Sequence, residues 1–340
     1  MRLSVLDQSP IAEGATNADA LANTLDLARL ADDLGYHRYW LAEHHGGPTL
    51  AGFAPEVLIP SVAAATSRIR VGSGGVMLPH YSPFKVAEVF TLLAAMYPDR
   101  IDLGLGRAAG TDARTTFALQ RDRSRAMPDD FPQQLAELLG YLDGTLPQDH
   151  PFHAMTNWLP EQRPEVWLLG SSPQSRVWAN EGGLNYAFAD FINPDGASFA
   201  RRADAVAVWV VCAETEEEAQ RLASSSRMTF SLLRRGRLIQ VPPPEKALRY
   251  LDEYGSGNQS RPPRRGVIGD PDQVRAGVEE VAHAYGAGEV IAVTITYDHE
   301  ARRRSYELLA EAFGLGGGAA ERPAGDRVAA PAQVARPDDS

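Results

Sequence analysis

Cysteine is almost absent: Cys212 is the only one among 340 residues. A single thiol excludes an internal disulfide and a cysteine-built zinc site. Within "AVAVWVVCAET" it reads as a small core residue near a strand end rather than a catalytic nucleophile. Long apolar runs are missing as well. The N-terminal "MRLSVLDQSP" lacks the apolar stretch of a signal peptide, and no segment approaches the ~20 residues of a membrane span, so the expected location is cytoplasmic. Basic charge is not in surplus either. A formal net charge of −11 and a pI near 5.2 argue against a nucleic-acid or anionic-membrane partner. The first strand, finally, is not followed by the phosphate-binding glycine turn of a doubly wound dinucleotide fold, which weakens that architecture.

What is present is alternation. Strand-like segments at Leu3–Asp7, "RYWLAE", "IRVGSGGVML", "RIDLGLGRA", "EVWLLG", "YAFADF", "AVAVWVV" and "EVIAVTITY" are separated by segments of helical periodicity. Helices are predicted over Asn17–Gly35, from Pro55 to about Thr66, Pro83–Met96, Pro132–Tyr141, from Ser172 or Pro173, after a cap at Asp195, and over "HEARRRSYELLAEAF". About eight βα units of this length predict an α/β fold, a TIM (β/α)8 barrel over residues 1–314 with insertions. Residues 144–164 read as an excursion, and 216–268 exceed one unit, with "VPPPEKA" opening an extra helix. Residues 315–340 are too poor in apolar side chains to pack and read as a disordered tail.

A barrel places its active site at the C-terminal ends of its strands. Those ends carry Asp7, Gln8 and Ser9; Glu43, His44 and His45; Pro79, His80 and Tyr81; Gly104, Gly106 and Arg107; Gly170, Ser171 and Ser172; and Asp190. In "LLGSSPQS" a strand, a glycine and two serines precede a proline-led helix, whose N-terminal N–H groups and dipole suit an anion. Ser172 and Ser175 add hydroxyls, and Arg107 from the neighbouring strand adds a countercharge, so a phosphate site is expected there. "GSGG" lacks the G-x-G-x-x-G spacing; glycines in a barrel strand suit close packing of a flat ring against the backbone. "E-H-H" is not a zincin motif, so no metal is expected. One of His44 and His45 can face the mouth as a single general acid/base, with Glu43 as orienter, while the other packs outward.

Together "WLAEHHG", "RVGSGGVMLPHYSPFKVAE", "YPDRIDLGLGRAAGTD" and "LLGSSPQS" resemble the bacterial luciferase-like flavin monooxygenases, and among them the luciferase-family oxidoreductases. The resemblance runs over roughly residues 2–313, and "RRGRLIQVPPPEKAL" looks like that subgroup's insertion. It implies a TIM barrel that uses reduced FMN from a separate flavin reductase, activates O2 and oxidises a small organic substrate as a homodimer. A related branch uses F420 for hydride transfer and is the alternative, as is a flavin-binding relative without oxygen chemistry. By position the resemblance gives His44 as the active-site histidine and Gly74 and Gly75 as a cis peptide against the flavin ring. It gives Arg107, Ser172 and Ser175 as phosphate ligands, with Ser171 and Asp190 in the same cofactor site. Two positions depart from the family pattern: Asp190 replaces a frequent histidine and Ala109 a frequent proline. An ionised Asp190 is an acceptor only.

Overall fold

Helix α1 (Asn17–Leu34) shows how locally the elements are specified. Thr16 and Asp19 form a reciprocal capping box at its start, and Gly35 ends it with φ 85°. Helix α9 (Pro271–Tyr285) repeats the device with Asp270, Gln273 and a terminal Gly286 at φ 61°. In between, the computed structural model describes residues 1–107, 112–124, 129–254 and 266–316. Ala109 and residues 317–340, most of the expected tail, lie outside the described residues.

The strands are β1 (Arg2–Asp7), β2 (Arg38–Leu41), β3 (Arg70–Met77), β4 (Ile101–Gly106), β5 (Glu165–Gly170), β6 (Asn185–Ala189), β7 (Ala205–Cys212), β8 (Gly266–Gly269) and β9 (Glu289–Val293). All pairings are parallel, and β1 to β7 with β9 close on themselves into an eight-stranded TIM barrel. The remaining helices are α2 (Pro55–Ala65), α3 (Pro83–Met96), α4 (Ala113–Leu119), α5 (Phe131–Asp143), α6 (Pro173–Gly182), α7 (Glu216–Leu233), α8 (Pro244–Tyr254) and α10 (His299–Phe313).

Two details differ from the sequence expectation. Strand β8, inside the long insertion, pairs only with the far end of β7 and is not part of the closure. Its four residues "GVIG" are too short to carry a period. After β6, Asp195 makes no side-chain cap and heads only a 3-10 turn, Gly196–Ser198. There the chain crosses the Phe188 ring so closely that a Cβ on Gly196 would lie 1.9 Å from its Cζ. The 144–164 excursion contains a short 3-10 helix, His153–Trp158.

Alternation along each strand separates two cores. In β1 and β2 the odd positions Val5, Tyr39 and Leu41 face the helices and the even ones Leu6, Trp40 and Ala42 face the barrel axis, while in β7 and β9 the parity is reversed, with Ala207 and Ile291 on the axis side. Cys212 is buried at the end of β7, and burial pushes its thiol up to about 12, as an inert core residue should be. At the N-terminal end the axis is closed by ions. Arg38, 2% exposed, reaches Asp102 at 2.9 Å, Glu289 at 3.0 Å and Glu165 at 3.1 Å, and Arg70 reaches Asp102 at 2.6 Å. The Trp40 and Trp167 indoles donate to Asp102 (2.9 Å) and Glu165 (3.0 Å), which fixes their rings one layer above.

Candidate active site

Above the two tryptophans, at the C-terminal strand ends, lies a cavity of about 240 Å³. Its wall contains His44, Gly74, Gly75, Arg107, Ser171, Ser172 and Ser175, residues in or just after four consecutive strands, β2 to β5, that the sequence reading selected. Asp190 is not in that wall.

One end of the cavity suits an anion. Ser172 is the N-cap residue of α6, yet its side chain makes no capping hydrogen bond. Pro173 follows at the first helical position, so the helix starts abruptly at the cavity wall. Arg107 is exposed at the mouth and its guanidinium carbon lies 5.4 Å from the Trp178 ring centroid, which holds the charge beside the helix start. The Ser175 hydroxyl is engaged differently: it donates to Ser172 O at 2.7 Å and meets the Tyr186 hydroxyl at 3.1 Å. A hydroxyl has one proton, so in this arrangement Ser175 serves the first turn of α6, and the donors that face the cavity are Ser171, Ser172 and the helix N–H groups.

At the other end sit the glycines and His44. The Gly74–Gly75 peptide is cis. A Cβ on Gly75 would lie 2.7 Å from the backbone Gly104 O, so only glycine fits there, and one on Gly74, 2.6 Å from Leu6 Cδ1 and 3.0 Å from Trp40 Cβ, would have to displace the leucine side chain. His44 Nδ1 is buried without a hydrogen-bond partner, an orphan that a ligand in the cavity would satisfy. Burial, aided by the neighbouring His45, holds the His44 imidazole down at about 4. It is therefore neutral at pH 7 rather than poised near 6.5.

Glu43 does not orient His44. Residues 43 and 45 share a face that residue 44 does not, and Glu43 Oε1 meets His45 Nε2 at 2.7 Å. Its carboxylate also accepts from the Met77 N–H (2.9 Å) and the Tyr81 hydroxyl (3.1 Å), while His45 lies edge-on to His80. Parity sorts the other strand ends in the same way. Gln8 lines the cavity, whereas Asp7 turns outward to Arg302 at 2.7 Å and the Tyr39 hydroxyl at 2.6 Å. Ala189 and Phe191 line the cavity, whereas Asp190 between them turns outward, fully buried, and accepts from the Tyr285 hydroxyl of α9 at 2.8 Å. Contact between Asp190 and a cofactor, as the sequence reading had it, is not what this geometry provides.

A profile of the luciferase-like monooxygenases matches residues 1–288. The chain belongs to the luciferase-like monooxygenase family. It is 43% identical over 331 residues to the Bacillus subtilis (strain 168) protein YwcH, covering 92% of this chain and 98% of that one. It is 37% identical over 328 residues to N-acetyl-S-alkylcysteine monooxygenase of the same organism, covering 92% and 98%. Among solved structures it resembles apo-MsnO8, with a TM-score of 0.84 and 42% identity over 92% of this chain and 98% of that chain. An FMN complex of the oxygenating constituent of 3,6-diketocamphane monooxygenase from Pseudomonas putida shares the fold at TM-score 0.69 and 19% identity, covering 94% and 98%.

In this luciferase-like site the remaining wall is aromatic and aliphatic: Trp40, Phe131, Trp178 and Phe191 with Leu6, Leu169 and Ile291. Sequence reasoning named none of the aromatics. Trp40 carried a usable signal, since it shares parity with His44 on the same strand.

Proposed function

We propose that this chain is an FMN-dependent monooxygenase that takes reduced flavin from a separate reductase and uses O2 to oxidise a small organic substrate. The observation that carries this reading is the polarity of one cavity: an anion-binding end at Arg107, Ser171 and Ser172, and a ring-binding end at Gly74, Gly75 and the orphaned His44 Nδ1. Reduced FMN, when bound, supplies the electrons that activate O2.

The protein's residues hold and sequester it. The α6 N-terminus, Ser171, Ser172 and Arg107 would hold the phosphate, while the Trp40 side offers a flat apolar surface next to the cis peptide. Neutral His44 offers a hydrogen bond at Nδ1, and an anionic ligand beside it would raise its proton affinity. His44 then acts as the acid/base of the site only once the ligand is in place. The walls named above exclude water, which strengthens each polar contact. We also propose a homodimer: the adjacent helices α2 and α3 expose Val57 (64%), Leu92 (56%) and Met96 (55%).

The test is a set of titrations with FMN, riboflavin and F420, followed by NADH-driven turnover with and without an unrelated flavin reductase. FMN tighter than riboflavin, and turnover only with the reductase, support the reading. Tight F420 binding with no response to FMN would replace it with hydride transfer.

A further inference from the structure

The chain is acidic, at −11, yet one side of its mouth is not. Two distant segments meet there above the loop that follows His44. A Cβ on Gly46 would lie 2.3 Å from Thr115 Oγ1 of α4, and one on Gly47 2.8 Å from Cδ1 of Leu238, between α7 and α8. The second segment is fastened across the β1 and β2 loops: Thr49 Oγ1 donates to Ile239 O at 2.7 Å, and Val241 N donates to Ile11 O at 2.8 Å. The two segments that pack on the loop after His44 carry Arg114, Arg121, Arg123, Arg234, Arg235 and Arg237, all exposed, with Arg107 at the cavity itself.

Their charge is only partly offset. Among the described residues none of these arginines is in an ion pair, whereas Arg221, Arg275, Arg303 and Arg304 on the flanking helices each are. No carboxylate occurs between Ser231 and Pro243. The α4 segment carries two acids, Asp112, which accepts from the Thr115 N–H and feels Arg114, and Asp122, which accepts from the Ser124 N–H, so the arginines remain in excess. Screening over about 8 Å at physiological salt means that a small ligand near the mouth feels these charges and not the distant acidic surface.

We propose that the arginine rim is a capture surface for a phosphate-bearing flavin, reversing the protein's repulsion of a small anion and leading it to Arg107. This rests on the FMN reading of the cavity. A local field of this kind acts on the association rate rather than on the bound complex.

Stopped-flow association of FMN and of riboflavin with the full chain tests it, from low salt to about 0.5 M, against R234Q/R235Q/R237Q. The FMN on-rate should fall with salt in the parent. In the variant it should be about tenfold lower at low salt, with a shallower salt slope and an unchanged off-rate. Riboflavin should associate alike with both, and R275Q on α9 should change nothing. If the triple variant folds poorly, R114Q/R121Q/R123Q carries the same expectation. Equal FMN on-rates and slopes in parent and variant overturn the proposal while leaving FMN binding intact. So does a defect seen only in reductase-coupled turnover, which would make the rim a protein-docking face. Absence of FMN binding in the parent overturns the cavity reading, and the rim proposal with it.

Discussion

Glu43 Oε2 accepts the Met77 N–H at 2.9 Å, and so ties the end of β2 to the end of β3 beside the cis Gly74–Gly75 peptide. The carboxylate is fully buried and serves three partners, His45 in its own segment and Met77 and Tyr81 at the end of β3 and just beyond it. Glu43→Ala strands those partners and should cost roughly 1–3 kcal/mol in urea unfolding. Glu43→Gln, which keeps the shape, should recover part of that loss. Identical unfolding midpoints for all three proteins would show that the tie is not structural.

Arg107→Ala should weaken FMN binding by roughly 1–2 kcal/mol, the lower part of the range for a charge-assisted contact because the side chain is exposed. Riboflavin affinity should be insensitive to the change. Equal losses for both ligands in fluorescence titrations would remove Arg107 from the phosphate end.

In the ligand-free protein the His44 ring should titrate near 4. Between that value and the ordinary histidine value the unfolded chain binds the extra proton and the native state does not. Stability therefore rises with pH across this window and is lost as pH falls through it. Histidine NMR shifts with and without FMN measure both states, and the bound form should titrate higher. A protonated His44 at pH 6 without ligand would contradict the burial argument.

Asp7 is a second pH-sensitive point with a lower window. Burial alone would push its carboxyl up, but Arg302 and the hydrogen bonds of Tyr39 and Thr24 outweigh that and hold it below the usual range. Its stabilisation is complete above the ordinary carboxylate value and is lost as pH falls through the depressed folded value. Asp7→Asn leaves Arg302 buried without its counterion and should cost about 3–5 kcal/mol at pH 7. The unfolding midpoint at pH 7, compared with Arg302→Met/Asp7→Leu, checks this, and the double variant should be the milder.

Leu92→Glu with Met96→Glu should shift the protein from dimer to monomer in sedimentation, with little change in FMN affinity. A parent that sediments as a monomer would contradict the dimer.

The barrel was legible because the apolar period survives in most elements: the predicted α3, β5 and α10 match their observed limits. The site was legible because barrel topology turns a place in the sequence, the end of a strand, into a place in space. What strand ends do not disclose is which way each residue faces once the strand has stopped. Asp7, Glu43 and Asp190 were all grouped with the mouth, and all three lie on the parity that faces away. The ionic cluster around Arg38 was illegible for another reason. Its members come from β2, β3, β4, β5 and β9, and nothing local in any one strand marks a charge that only the closed barrel neutralises.

That cluster also makes the barrel a blind well. With Arg38, Asp102 and Glu289 packed across its lower end, the Trp40 floor is reached, among the described residues, from the upper mouth. In a well with one opening, whatever lies deepest must enter first and leave last. The order of arrival is thus imposed by a few charges on the side of the molecule where no chemistry takes place.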